Sequence, residues 1–427
     1  MRDIRPPKAM TPEGRNCWIV SVAALLHVAV LLQPLPAEGV IMFGPEETVK
    51  ADGSDIDVLG YSVPSFVDWD NDGLKDLIVG EGSGSSAAKV GVYLNIGTAT
   101  APVFSKSSPY CFYTQYTSGG DLVVPGADGC LGAFPRVVYW NDDNKKDLLA
   151  GQGIGKISLY LNTGTDEDPT FDGGTLLQID DGDGGKEDID VGSRATCSTV
   201  DWNNDGKKDV ISGELYGMIR LFINEGTDTA PDFQAMTNVK AGGSDLDVGY
   251  RSSPVFEDLD GDGKKDLLVA ETNGKLYFYS NTGTDAAPAF SGRSFAQSNG
   301  ADLDLSTTRP RPFVCDWTGD GLLDVLIGDS DGKVRLFQAP IPGDTDNDRD
   351  VDGDDAQTLA DNWGDSVSGG YTMGDLDGDE VVGPADASIL AAHFGHGTGE
   401  STAVPEPSTL AMLIIVGMSF LAHRRRR

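Results

Sequence analysis

Aspartates at alternating places in short, glycine-bent loops are the residues of this chain best suited to chemistry. Asp258, Asp260, Asp262 and Asp266 hold places 1, 3, 5 and 9 of one such loop, followed at once by the apolar run Leu267-Leu268-Val269-Ala270. Carboxylates at this spacing turn inward around the bend, so a short loop can wrap one hard cation in oxygen, as calcium is held. The same places carry Asp68, Asp70, Asp72 and Asp76, then Asp201, Asn203, Asp205 and Asp209, then Asp316, Thr318, Asp320 and Asp324. A worn copy offers Asn141, Asp143 and Asp147, with Tyr139 at the first place and Asn144 where the others have glycine. Asparagine can enter the left-handed region, which keeps the bend available there. The last aspartates fall at 76, 147, 209, 266 and 324, so the copies recur every 57 to 71 residues. A sustained period of this kind signals stacked copies of one supersecondary unit.

A longer loop type follows. Asp344, Asp346, Asp348, Asp350, Asp352 and Asp355 stand at places 1, 3, 5, 7, 9 and 12 of one loop. Asp375, Asp377, Asp379 and Asp386 stand at 1, 3, 5 and 12 of another. Apolar Val351 and Val382 at place 8, with helical runs at 356–363 and 387–394, complete the logic of the EF-hand loop. Several calcium ions are thus the expected cofactors. They would also offset part of a formal charge of −35, which makes nucleic acid an unfavourable partner.

The elements that position the short loops are strands. After each loop comes an apolar strand (Leu77-Ile78-Val79, Val210-Ile211), then an alternating one (Val90 to Leu94, Ile157 to Leu161, Ile219 to Ile223, Leu276 to Tyr279, Val334 to Phe337). A turn with Asn and Gly follows (Asn95/Gly97, Asn162/Gly164, Asn224/Gly226, Asn281/Gly283), and then a Pro-x-Phe step ending at Phe104, Phe171, Phe233 or Phe290. Short strands with turn punctuation and almost no helical period give an all-β fold. Four-strand units that need neighbours to cover their faces predict a β-propeller, and five copies predict five blades. Val40 to Gly44 supplies the Pro-x-Phe-like strand missing from the last copy and could close the ring. Trp69, Trp140, Trp202 and Trp317 at loop place 2, replaced once by Leu259, are expected to pack between blades rather than stack on sugar.

Taken together, Asp-Trp-Asp-x-Asp-Gly-x-x-Asp-Leu-x-Val-Gly and the later Leu-Tyr-x-Asn-x-Gly-Thr resemble the FG-GAP/VCBS repeats of bacterial surface and secreted proteins, over about 300 of 427 residues. The resemblance implies a propeller with calcium between the first two strands of each blade. The paired twelve-residue loops resemble a dockerin module, which implies a cohesin-like partner. Places 10 and 11, where that family often carries hydroxyls, hold Gly353-Asp354 and Pro384-Ala385 here. The segment Val404-Pro405-Glu406-Pro407, an apolar run from Leu410 to Ala422 and Arg424 to Arg427 resemble the PEP-CTERM sorting signal, implying an exosortase-type sorting enzyme. A plain C-terminal membrane anchor is the alternative.

The domain plan is a signal peptide at 1–37, a propeller at 38–341, the double-loop module at 342–398, a linker at 399–404 and the sorting signal at 405–427. The leader has a basic start, an apolar run from Trp18 to Leu32 and Ala37 before the cleavage point, so export is expected. Membrane contact is expected only through the C-terminal helix. In an exported protein Cys111 and Cys130, which flank an insertion, can bridge or stay as thiols. The propeller region has no histidine, which removes Ser-His-Asp and Cys-His catalysis from it. The expected function is therefore non-catalytic, surface-sorted binding of a polysaccharide, matrix or protein ligand through the propeller face. The alternative is an accessory or catalytic part of extracellular polysaccharide breakdown, and a third reading is a matrix spacer.

Overall fold

A computed structural model describes residues 40–82, 88–125, 133–298, 300–367 and 370–397. The expectations for the leader, the C-terminal tail and Cys130 lie outside the described residues. Contacts divide the chain into one compact unit of residues 38–340 and a second whose described part runs from 341 to 397.

The first unit is an all-β propeller. Five antiparallel sheets each begin with an inner strand: Val63–Val67, Phe134–Val138, Thr196–Val200, Ser253–Glu257 and Arg311–Cys315. Each inner strand lies beside the inner strand of the next sheet, and the series closes on itself. The second strands, Asp76–Gly80, Asp147–Gly151, Asp209–Gly213, Asp266–Ala270 and Asp324–Gly328, are buried along their whole length. That explains their mainly apolar sequence after the first aspartate, Ser212 being the one polar interruption: both faces are covered by neighbouring blades. Register fixes the acidic loops, because the last aspartate of each is the first residue of the second strand. Asp76 opposes Val67, Asp209 opposes Val200 and Asp266 opposes Glu257. At the far end of the second strand the next blade comes very close. A Cβ on Gly151 would lie 2.0 Å from the Ala195 carbonyl oxygen, and one on Gly213 would lie 2.2 Å from that of Ser252.

The count departs from the expected five blades. Among the described residues six sheets have three or more strands, the sixth being Met42–Phe43, Gln297–Ser298 and Ala301–Asp302. It carries no acidic loop, so counting loops could not find it. Its parallel pairing has relatives elsewhere in the ring, where Phe104 bridges Ala51, Phe233 bridges Ile179 and Phe290 bridges Ala241. Phe43 thus takes the place of the Pro-x-Phe phenylalanine for the last repeat. The strand that completes the last sheet lies slightly later than expected, at Glu46–Thr48, antiparallel to Val334–Phe337.

The tryptophans sit between blades. Trp69, Trp140, Trp202 and Trp317 meet Phe171, Phe233, Phe290 and Phe104 of the next repeat at 6.3, 6.2, 6.1 and 5.9 Å between ring centroids. Leu259 and Phe43 fall in one cluster and make the fifth joint. Fully burying each large side chain contributes about 1.5–3 kcal/mol, and the shared partner fixes the repeat spacing.

In the second unit, helices Gly353–Asp361 and Pro384–His393 each begin at place 10 of one twelve-residue loop, three residues before the expected runs, with a short 3-10 turn at Gly370–Met373 between them. Val351 and Val382 are fully buried.

Candidate metal centres

Each short loop is bent by two left-handed residues. At place 4 these are Asn71, Asp142, Asn204, Gly261 and Gly319, with φ between 55° and 75°. At place 6 they are Gly73, Asn144, Gly206, Gly263 and Gly321. Asn144 adopts φ 58°, so the worn copy keeps its bend. The place-1 carboxylate then accepts the place-6 N–H, as Asp68 does from Gly73 at 3.1 Å, Asp201 from Gly206 at 3.0 Å, Asp258 from Gly263 at 3.0 Å and Asp316 from Gly321 at 3.1 Å. Place 3 accepts from place 5, through Asp70, Asn141, Asn203 and Asp260. Place 5 accepts from place 7, through Asp72, Asp143, Asp205, Asp262 and Asp320. Thr318 makes contacts at place 3 of the last loop.

The place-9 aspartates have a further role that spacing did not reveal. Asp76 accepts from Trp69 N and Asn95 N, both at 2.7 Å, using both oxygens. Asp147, Asp209 and Asp266 repeat this with the place-2 residue and Asn162, Asn224 and Asn281, and Asp324 with Trp317 and Ala339. Each therefore ties its loop to the turn after the third strand, and all five are buried.

Carboxylate oxygens converge most closely in two of the five loops. Asp68, Asp70 and Asp76 bring one oxygen each within 4.8 Å of one another, and so do Asp258, Asp260 and Asp262. Burial pushes Asp76 up to about 7 and Asp266 up to about 6, against an ordinary 3.8, with the neighbouring carboxylates adding to the effect. Burial and then the Asp72 and Asp68 charges also raise Asp70. In the third loop Asp205 is exposed and is held low: partial desolvation works the other way, but the Lys207 N–H and then its ammonium, 3.4 Å away, outweigh it.

The longer loops follow the same design. Asp344, Asp346 and Asp355 converge, as do Asp350, Asp352 and Asp355, and Asp375, Asp377 and Asp386. Asp348 and Asp379 stay outside these groups and accept from Asp350 N and Val381 N. Asp355 ties Thr345 N at 2.6 Å to Asp352 N at 2.7 Å, and Asp386 ties Leu376 N to Gly383 N, both at 2.6 Å. Burial raises Asp344 to about 6.

A hard divalent cation fits these groups. The donors are all oxygen, and Asp68 Oδ1 is buried without a hydrogen-bond partner although its other oxygen is bonded, as is Asp350 Oδ1. A buried, unpaired carboxylate oxygen is costly unless a cation meets it.

Two features of the loops were missed from sequence. Asp166, Asp228 and Asp285 accept the N–H of Lys146, Lys208 and Lys265 at loop place 8. Their signal was the residue after Gly-Thr in three of the turns. The place-8 lysines also reach back to the preceding loop. Lys75 bonds Asp316 O, Lys146 bonds Asn71 Oδ1, Lys208 lies 3.6 Å from Asp142 and Lys265 bonds Asp201 O. Leu323 stands at that place in the last loop, so one joint lacks the stitch.

Residues 201–269 and 258–327 match the FG-GAP-like repeat family. No curated protein matches the chain. Similar solved structures include a lectin of Agrocybe aegerita that recognises non-reducing terminal N-acetylglucosamine, at 18% identity over 63% of this chain and 75% of that one, with a TM-score of 0.33. The periplasmic gluconolactonase of Pseudomonas aeruginosa is 15% identical over 71% of this chain and 88% of that one, with a TM-score of 0.33. The Photorhabdus luminescens Tc holotoxin pore is 15% identical over 64% of this chain and only 11% of that one, with a TM-score of 0.34. Likeness this distant carries no argument about activity. The class is a β-propeller carrying FG-GAP-like repeats.

Proposed function

We propose that this is an exported, calcium-stabilised binding protein that works at the bacterial surface or in the extracellular matrix without catalysing a reaction. Calcium would be held by Asp68, Asp70 and Asp76, by Asp258, Asp260 and Asp262, and by the three carboxylate groups of the second unit. It would supply the positive charge that lets these carboxylates stay ionised side by side. The propeller face would then present a rigid surface to a polysaccharide or protein. On this reading the double-loop unit is dockerin-like with a cohesin-like partner, and the C-terminal signal hands the chain to an exosortase-type enzyme.

The observation that carries the calcium reading is the buried, unpartnered Asp68 Oδ1 among converging carboxylates. Elemental analysis of the full chain after exhaustive dialysis tests it. Several calcium ions per chain are expected. A folded, metal-free protein would end the reading.

A further inference from the structure

The opposite end of the propeller gathers arginines around a small cavity. Two residues before the inner strands that begin at Thr196, Ser253 and Arg311 stand Arg194, Arg251 and Arg309. All three are left-handed, with φ 59°, 56° and 67°. Their backbone N–H groups donate to the turn between the second and third strands of the preceding blade, at Gly153 O, Leu215 O and Thr272 O, over 2.9 to 3.0 Å. This conformation is uncommon for a long side chain, and three copies in one register point to function more than to folding.

The three side chains surround a cavity of about 20 Å³ that Thr196, Ser253 and Arg311 also line. That is room for one or two polar atoms, not for a whole ligand. Nε of each of the three arginines is buried with no hydrogen-bond partner, and so is Ser253 Oγ. Arg311 is 3% exposed, and burial, with Arg251 and Arg309 nearby, pushes it down to about 9. The acids at this end are engaged elsewhere. Glu214 accepts from Tyr216 N and Met218 N, Asp329 pairs with Arg335, and Glu81 accepts from Tyr113. The cavity therefore keeps three unbonded guanidinium Nε donors, while Arg309 Nη1 donates to the Tyr61 hydroxyl, Arg194 Nη1 to Ser193 Oγ and Arg311 Nη1 to Arg309 O. Aromatic rings stand beside these arginines: Tyr250 lies 5.5 Å from the Arg251 guanidinium carbon, Tyr61 lies 5.4 and 4.7 Å from those of Arg309 and Arg311, and Tyr216, 68% exposed, follows the Leu215 carbonyl that accepts the Arg251 N–H.

We propose that this arginine mouth binds an acidic glycan, with one sugar carboxylate in the cavity and the sugar ring against Tyr216 and Tyr250. Guanidinium forks suit carboxylate oxygens, and an aromatic face suits the apolar side of a pyranose. The proposal deepens the binding reading above but does not depend on calcium.

Calorimetry of the full chain, in constant excess calcium, with hexagalacturonate, a neutral galactose hexamer, acetate and inorganic sulfate tests it. Hexagalacturonate alone should bind well. R251Q/R309Q should weaken it at least tenfold at an unchanged melting midpoint, R251K/R309K should weaken it less, and Y216A should weaken it without abolishing it. Equal binding of the neutral hexamer, no gain over acetate or sulfate, or an unaffected R251Q/R309Q protein that melts normally would overturn the proposal. Failure of the calcium reading shows differently, as a chelator-insensitive fold that still binds hexagalacturonate.

Discussion

The two ends of the propeller bend the chain in the same way for opposite purposes. At the acidic end, left-handed positions are filled by Gly, Asn and one Asp, residues that adopt that conformation at little cost. At the other end Gly155, Gly217 and Gly274 are left-handed as well, but so are Arg194, Arg251 and Arg309, for which the same conformation is strained. The acidic loops are thus written into local sequence and recur in every copy. The arginine mouth is imposed by backbone hydrogen bonds from the neighbouring blade and recurs in only some copies.

The largest effect expected from a single substitution separates the bracket aspartates from the ligand aspartates. Asp209→Ala leaves the N–H groups of Trp202 and Asn224 without their acceptor. At about 1–3 kcal/mol for each buried orphan, denaturant unfolding should show a loss of roughly 2–6 kcal/mol, the same with calcium and with chelator. Asp68→Asn/Asp70→Asn should behave differently. Its loss should be about 2.7 kcal/mol when calcium is a hundredfold above Kd and should vanish in chelator. Equal losses in both media would mean the loop is structural only.

Proton linkage gives a smaller effect of definite sign. Asp76 and Asp266 titrate in the fold near 7 and 6 and at an ordinary 3.8 otherwise, so between about pH 4 and 7 the calcium-free folded state binds more protons than the unfolded one. Stability in chelator should therefore fall as pH rises through that window, giving a higher melting midpoint at about pH 5 than at about pH 7.5. With saturating calcium, which competes with these protons, the trend should flatten or reverse. The smallest effect belongs to the other end. Arg194→Gly removes a left-handed non-glycine residue and should stabilise by up to about 1 kcal/mol, read as a small rise in midpoint. A clear destabilisation would show that the arginine serves folding instead.

Much of the acidic end was legible because loop chemistry is local. Spacing alone identified the five loops, the bends at Gly73 and Asn144, and the tryptophans as interblade packing. It could not show that Asp76 and its counterparts hold two distant backbone segments, since Asn95 lies 19 residues away. It overlooked the sixth sheet because Met42–Phe43 pairs in parallel with residues more than 250 positions later. The arginine mouth was hidden for the same reason. Arg194, Arg251 and Arg309 are unremarkable in their own segments, and only the closed ring gathers them around one cavity.

The account rests on divalent cations relieving the crowded carboxylates. Its most direct test is thermal unfolding of the full chain in excess calcium and again in excess chelator at neutral pH. Two propeller sites contributing about 2.7 kcal/mol each at a hundredfold excess over Kd should separate that unit's two midpoints by roughly 9 °C. Superimposable melting curves would contradict it.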